Sequence, residues 1–232
     1  WSEPTHATVR AFELAVPKGL RVGYVAAEND PIPESLRQVG VEVELLGPVQ
    51  LAFGDLSQFD AIAIGIRAYE LRADLARANR RLLDYAAAGR TLVVQYQRDD
   101  DFNRIKPAPY PASVGQPTIR ITDENAPVKF TQPQSPALTF PNKITPADFD
   151  GWVQERGLYF WGTFGAEYQF PLAMRDPGES ADTIGAIAYA RTGKGVYIYT
   201  GLSFFRQLPE GVPGAYRLFI NLLSQSRATL KP

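Results

Sequence analysis

Asp60-Ala61-Ile62-Ala63-Ile64-Gly65-Ile66 and Thr91-Leu92-Val93-Val94-Gln95-Tyr96-Gln97 are two runs that are apolar at successive positions. That pattern suits strands covered on both faces, as the central strands of a parallel sheet are. Between them Leu71, Leu75, Ala78, Leu82 and Tyr85 recur at spacings of three and four, with Arg72, Arg77, Arg80 and Arg81 around them. This predicts an amphipathic helix, and Gly89 supplies its natural C′ residue. Strand, helix and strand joined by short links form a unit whose two strands run parallel.

Working outward, Leu20 to Ala26 has the length of a buried strand and Val41 to Leu46 alternates like a second one. Pro33 to Val39 between them reads as a short helix, with Pro near its start and Gly40 just past its end. Downstream, Ile184–Ala190 and Val196–Thr200 flank Arg191-Thr192-Gly193-Lys194-Gly195 as a hairpin, and a last helix is expected from Pro213 to Ser224. The expected fold is α/β, a doubly wound, mostly parallel sheet with a long insertion and a C-terminal β-hairpin plus helix. Residues 1–18 read as an arm or linker, 19–227 as the domain, 98–165 as a Pro- and aromatic-rich insertion, and 228–232 as a tail. The opening Trp1-Ser2-Glu3-Pro4 suggests a mature or excised piece of a longer chain.

Composition excludes more than any motif suggests. The chain has 232 residues, a net charge of -1, no Cys and one His. That balance offers no long-range attraction for nucleic acid or anionic membrane, and no apolar run is long enough to span a bilayer. A zinc site needs several Cys or His ligands, so neither a metal nor another cofactor is expected. A Cys nucleophile is impossible, and a Ser-His-acid triad would have to recruit His6 from the terminal segment.

The element order, together with Leu82-Leu83-Asp84-Tyr85-Ala86-Ala87-Ala88-Gly89-Arg90-Thr91-Leu92-Val93-Val94 and Gly193-Lys194-Gly195-Val196-Tyr197-Ile198-Tyr199-Thr200-Gly201-Leu202-Ser203, resembles the class I glutamine amidotransferase-like (flavodoxin-like) fold. The likeness is to its non-catalytic relatives, the ThuA-like proteins and the middle domain of certain β-galactosidases. Amidotransferases carry their Cys after the strand matching Thr91–Tyr96 and their His beyond a later strand. Here those places hold Gln95-Tyr96-Gln97 and Leu202-Ser203-Phe204. Five segments resemble the C-terminal domain of large bacterial PIG-L-type (LmbE-like) deacetylases: Ile66-Arg67-Ala68-Tyr69, Thr122–Val128, Phe140–Thr145, Asp148–Tyr159 and Gly201–Pro209. That resemblance implies a non-catalytic accessory domain, an upstream deacetylase domain in the same polypeptide as its partner, and a periplasmic or secreted location. The zinc motif of the catalytic domain is absent here.

In open α/β sheets ligands bind beyond the carboxyl ends of the strands. Arg67, Glu70, Gln95 and Gln97 fall at such ends and are expected to form a polar floor, with Asp150 and Trp152 as a wall and Arg206 reaching the same rim. Arg67 would either grip a ligand or form an internal ion pair with Glu70 or Asp150. The stretch Asp148–Trp161 mixes aromatics with carboxylates, which suits a glycan, an aromatic mini-core under a loop, or an interface with a neighbouring domain. A free-standing carbohydrate hydrolase using Asp148, Asp150 or Glu155 is the competing reading. Asp99-Asp100-Asp101-Phe102-Asn103 begins like a calcium loop, but Arg104 and Tyr110 stand where Gly and Glu are required, so a solvated acidic turn is expected. Gly193-Lys194-Gly195 is too short for a phosphate loop.

Overall fold

The computed structural model describes residues 11–228. His6, residues 1–10 of the expected arm and residues 229–232 of the tail lie outside the described residues.

The first half alternates strand and helix: β1 (Arg21–Val25), α1 (Ile32–Gln38), β2 (Glu42–Leu45), α2 (Pro48–Phe53), β3 (Ala61–Ile64), α3 (Ala68–Leu71), α4 (Ala73–Ala87), β4 (Thr91–Gln95) and α5 (Asp99–Ile105). The insertion adds β5 (Ala112–Ile121), β6 (Val128–Phe130), α6 (Pro136–Thr139), β7 (Gly157–Phe164) and β8 (Leu172–Met174). The chain then forms β9 (Ile187–Thr192), β10 (Gly195–Thr200), α7 (Phe204–Gln207), α8 (Pro213–Leu223) and α9 (Gln225–Ala228).

The main sheet runs β2-β1-β3-β4-β10-β9. Every pairing is parallel except β10 with β9, the expected hairpin. The order reverses at β1, so the carboxyl ends of β1 and β3 flank the switch point. Each buried strand feeds two cores, because successive side chains point to opposite faces. Ala61 and Ala63 join Leu36 of α1 and Phe219 of α8 on one side. Ile62 and Ile64 join Leu75, Leu82 and Tyr85 of α4 on the other. Close backbone approach locks the helices down. A Cβ on Gly214, in the first turn of α8, would lie 1.8 Å from the Asp148 carbonyl oxygen, so only Gly fits there.

The predicted helix across Leu71–Ala88 is broken at Arg72, which has extended φ/ψ, giving a short α3 and a long α4. The guanidinium of Arg72 bridges Asp74 (2.6 Å) and the Leu46 carbonyl (2.9 Å), pinning the break. The acidic turn expected at Asp99–Asn103 is instead the start of α5. Asp99, Asp100 and Asp101 occupy its first turn, where helix N–H groups favour carboxylates. Within the insertion, β5 and β7 form an antiparallel ribbon with register shifts. Trp161 of β7 is 1% exposed, stacks on Tyr199 at 5.1 Å and meets Tyr168 edge-on at 4.7 Å. The described part of the arm is docked: Phe12, Leu14 and Val16 pack on the α8-side core. Asn142 there accepts from the Ala15 amide at 2.8 Å and donates to its carbonyl at 3.0 Å.

Candidate functional site

The carboxyl ends of β3, β4 and β10 converge on one rim. The amide of Arg67, just past β3, donates to the carbonyl of Tyr96, just past β4, at 2.9 Å. The Tyr96 ring packs edge-on against Tyr159 (5.1 Å) and Phe205 (5.2 Å), and the Arg206 guanidinium lies 4.9 Å from the Phe205 centroid. Two small ion-pair networks flank these rings. Arg67 grips Glu70 with two bonds of 2.7 and 2.8 Å, and Arg98 reaches the same carboxylate at 3.1 Å. Glu155 is shared by Arg120 (2.8 Å) and Arg206 (3.2 Å), and Arg206 also donates to Gln154. The Arg67 hydrogen bonds, then those from Arg98, hold Glu70 below the usual carboxylate range. The backbone is strained here: Arg67, Gln154 and Tyr159 adopt φ of 54°, 67° and 59°. Non-glycine residues in that region cost energy, and such residues cluster at functional sites.

Of the expected ion pairs of Arg67, the one with Glu70 forms. Gln95 and Gln97 are corrected: both are 0% exposed and form no floor open to a ligand. Gln95 donates to the Tyr24 hydroxyl (2.9 Å) and the Ile64 carbonyl (3.3 Å). Gln97 accepts from the Tyr69 amide (3.0 Å) and donates to the Gly65 carbonyl (2.8 Å). They tie adjacent strand ends together, which satisfies backbone groups left over where the ladder stops.

Trp152 is also corrected. It is 3% exposed in the α8-side core, stacked on Phe149 at 5.6 Å, with its indole N–H on the Asp148 carbonyl at 3.0 Å. Ala68 and Tyr69, which follow Arg67, belong to the opposite core. A ring this covered offers no open face to a ligand, so Trp152 forms no wall. Asp150 itself is exposed. Trp152 instead shields Arg156, which is 4% exposed and 5.6 Å from the centroids of both Trp152 and Phe149. The Arg156 guanidinium donates to the carbonyls of Ala126 and Phe149, and burial lowers its pKa to about 10. Tyr159, from the Asp148–Trp161 stretch, and Arg98, at the strand end after Gln97, also reach the rim, and Phe205 and Arg120 complete it unannounced by the sequence, since they arrive from separate segments.

Two of the three competing catalytic carboxylates, Asp148 and Glu155, are engaged. Asp148 accepts from the Thr145 amide (2.7 Å) and hydroxyl (3.0 Å) and pairs with Arg217 (2.8 Å). Glu155 sits between its two arginines. The Ser203 hydroxyl, 0% exposed, donates toward the carbonyls of Glu155 (2.8 Å) and Arg156 (3.2 Å). Burial, then the Glu155 carboxylate, pushes the Tyr96 phenol up, so it is no base near neutral pH. Among the described residues no group of three or more His, Cys, Asp or Glu side chains is placed to hold a metal ion, and no helix is long and apolar enough to cross a membrane.

Solved structures give the fold its name. The chain is similar to the matched chain of PurLQS from Thermotoga maritima, with a TM-score of 0.55 and 13% identity over 88% of this chain and 97% of that one. It is similar also to a candidate GMP synthase component from Thermoplasma acidophilum, with a TM-score of 0.53 and 11% identity over 92% and 96%. The fold is class I glutamine amidotransferase-like. A third similarity is to Gan42B, a GH42 β-galactosidase from G. stearothermophilus, with a TM-score of 0.51 and 14% identity. There the match covers 93% of this chain but 31% of that one. No protein-family model and no curated protein sequence matches the chain.

Proposed function

We propose that this chain is a non-catalytic accessory domain that serves a PIG-L-type N-acetyl-sugar deacetylase domain in the same polypeptide and presents its carboxyl rim to the glycan. One observation carries the non-catalytic part. Where amidotransferases place their nucleophile, the Tyr96 ring is wedged between Tyr159 and Phe205, and on the adjoining β10 turn the Ser203 hydroxyl is consumed by backbone carbonyls. A nucleophile needs a base within hydrogen-bond reach, and neither group has one. The sequence resemblance to deacetylase C-terminal domains supports the partner. The likeness to one part of a much longer β-galactosidase chain supports the accessory role. Half-exposed Tyr159 and Phe205 beside the arginines of the rim suit a sugar, whose C–H faces stack on rings while its hydroxyls need charged or polar partners.

The parent reading frame is the first test. A zinc-deacetylase domain upstream of Trp1 is expected, and a frame without one sinks the partner assignment. A glycan array of amino-sugar oligosaccharides then tests the rim: binding by the wild type should be lost in Tyr159→Ala and Arg206→Ala, while binding unchanged by both substitutions removes the rim from the proposal. The hydrolase alternative is not favoured, since Asp148 and Glu155 are both held in ion pairs, which leaves exposed Asp150 without the free second carboxylate that glycoside hydrolysis uses.

A further inference from the structure

Exposed apolar side chains concentrate around the β2 edge of the sheet. Six large apolar side chains are exposed among the described residues, and four of them lie around β2, α2 and α3: Leu45 (49%), Val49 (71%), Phe53 (86%) and Leu71 (50%). Val49 and Phe53 are one helical turn apart on α2, whose other face buries Leu51. They form one wall of a groove of about 490 Å³ whose other wall is Arg77, Ala78 and Arg81 of α4. A free surface gains nothing from an apolar pair turned to water.

The groove is rigid before anything enters it. Arg81 donates to the carbonyls of Gln50 (3.1 Å), Leu51 (2.8 Å) and Gly54, which caps α2 and clamps it to α4. Its charge is also unbalanced. Asp74 and Asp84, the carboxylates of α4, are taken by Arg72 and Arg80. Among the described residues Arg77 has no ion pair, and Arg81 has no carboxylate within ion-pair distance. Arg77, without a partner among the described residues, and Arg81, partnered by carbonyl oxygens, therefore stand beside a strip of exposed apolar side chains.

We infer that the α2–α4 groove docks an amphipathic helix with an acidic flank, supplied by a partner protein. The apolar face of such a helix fits between Val49, Phe53 and Ala78, in the helix-in-groove mode. Its carboxylates meet Arg77 and Arg81, which supplies orientation and speeds encounter. The groove shares no lining residue with the Tyr96 rim, so its test is separate from that of the glycan reading.

Fluorescence anisotropy on the whole chain tests it with a labelled helical peptide of about three heptads, leucine at a and d and glutamate elsewhere. The same peptide with lysine for glutamate is the control. Expected are saturable binding of the glutamate peptide, at least about tenfold tighter than the lysine peptide, weakening with added salt. Phe53→Asp should cost at least about tenfold and Arg77→Glu should remove most of the preference for the glutamate peptide, both with unchanged melting temperature because both side chains are exposed. Absent binding, equal binding of the two peptides, or binding indifferent to Phe53→Asp overturns the inference. So does a dimer by light scattering that Phe53→Asp dissolves, since a second copy would then be what covers the groove.

Discussion

The Tyr24 hydroxyl donates a 2.7 Å hydrogen bond to Oδ2 of Asp30 beneath the carboxyl ends of β1 and β3. The same hydroxyl accepts from Gln95 at 2.9 Å, and Oδ1 of Asp30 accepts from the Ile32 amide at 3.1 Å. Burial raises the Asp30 pKa, and these hydrogen bonds only partly oppose it. A carboxyl group whose folded pKa lies above its unfolded value favours the fold while protonated and loses that contribution as pH rises through the folded pKa. Asp30→Asn keeps an acceptor for Tyr24 and removes the ionisation. Its stability relative to wild type should therefore rise from pH 4 to neutrality, by urea midpoints at each pH. A difference independent of pH would show that Asp30 does not titrate differently on folding.

Gly65 is required by that same carboxylate. A Cβ there would fall 2.4 Å from Oδ2 of Asp30 and 3.0 Å from the Val25 carbonyl oxygen. Gly65→Ala should destabilise by about 1–3 kcal/mol, because a packed core relaxes poorly around an added methyl. Adding Asp30→Ala should recover part of that loss, and strictly additive costs in the double mutant would refute the clash.

Trp152 is a core residue. Trp152→Ala should cost about 3–5 kcal/mol in chemical denaturation, since it leaves a cavity among Phe149, Phe204 and the buried Arg156. A cost under about 1 kcal/mol would mean the ring does not pack as described.

Glu155 holds two half-exposed arginines. Removing it leaves charges that water can reach, so Glu155→Ala should cost about 1–2 kcal/mol rather than the larger loss of a fully buried pair. Glu155→Gln should cost less, because its amide oxygen still accepts from one guanidinium.

Ammonia release from glutamine should stay at the level of a heat-killed control, and Tyr96→Cys should not restore it, since none of the described residues is a His that could act as base. Turnover by that variant would show that a general base exists near Tyr96.

Pattern along the chain was enough for the fold. The unbroken apolar runs at Ala61–Ile64 and Thr91–Gln95, the three-and-four spacing of α4 and its closing glycine are local signals, each set by which faces of one element meet the core. The same locality hid α2, a short helix with almost no polar face, and the β5–β7 ribbon, whose irregular register erases alternation. Residue type also marked the rim through Arg67, Glu70 and Arg206, but could not tell a floor residue from a strut. Gln95 and Gln97 differ from surface glutamines only in what surrounds them. Their burial follows from Tyr24, Gly65 and Tyr69, which arrive from other strand ends. Trp152 likewise reads as a stacking platform until Phe149, Phe204 and α8 close over it. Local sequence determined which segments are strands and helices because backbone geometry and amphipathicity are short-range. Tertiary structure alone decided which polar and aromatic side chains face water, because that depends on partners tens of residues away.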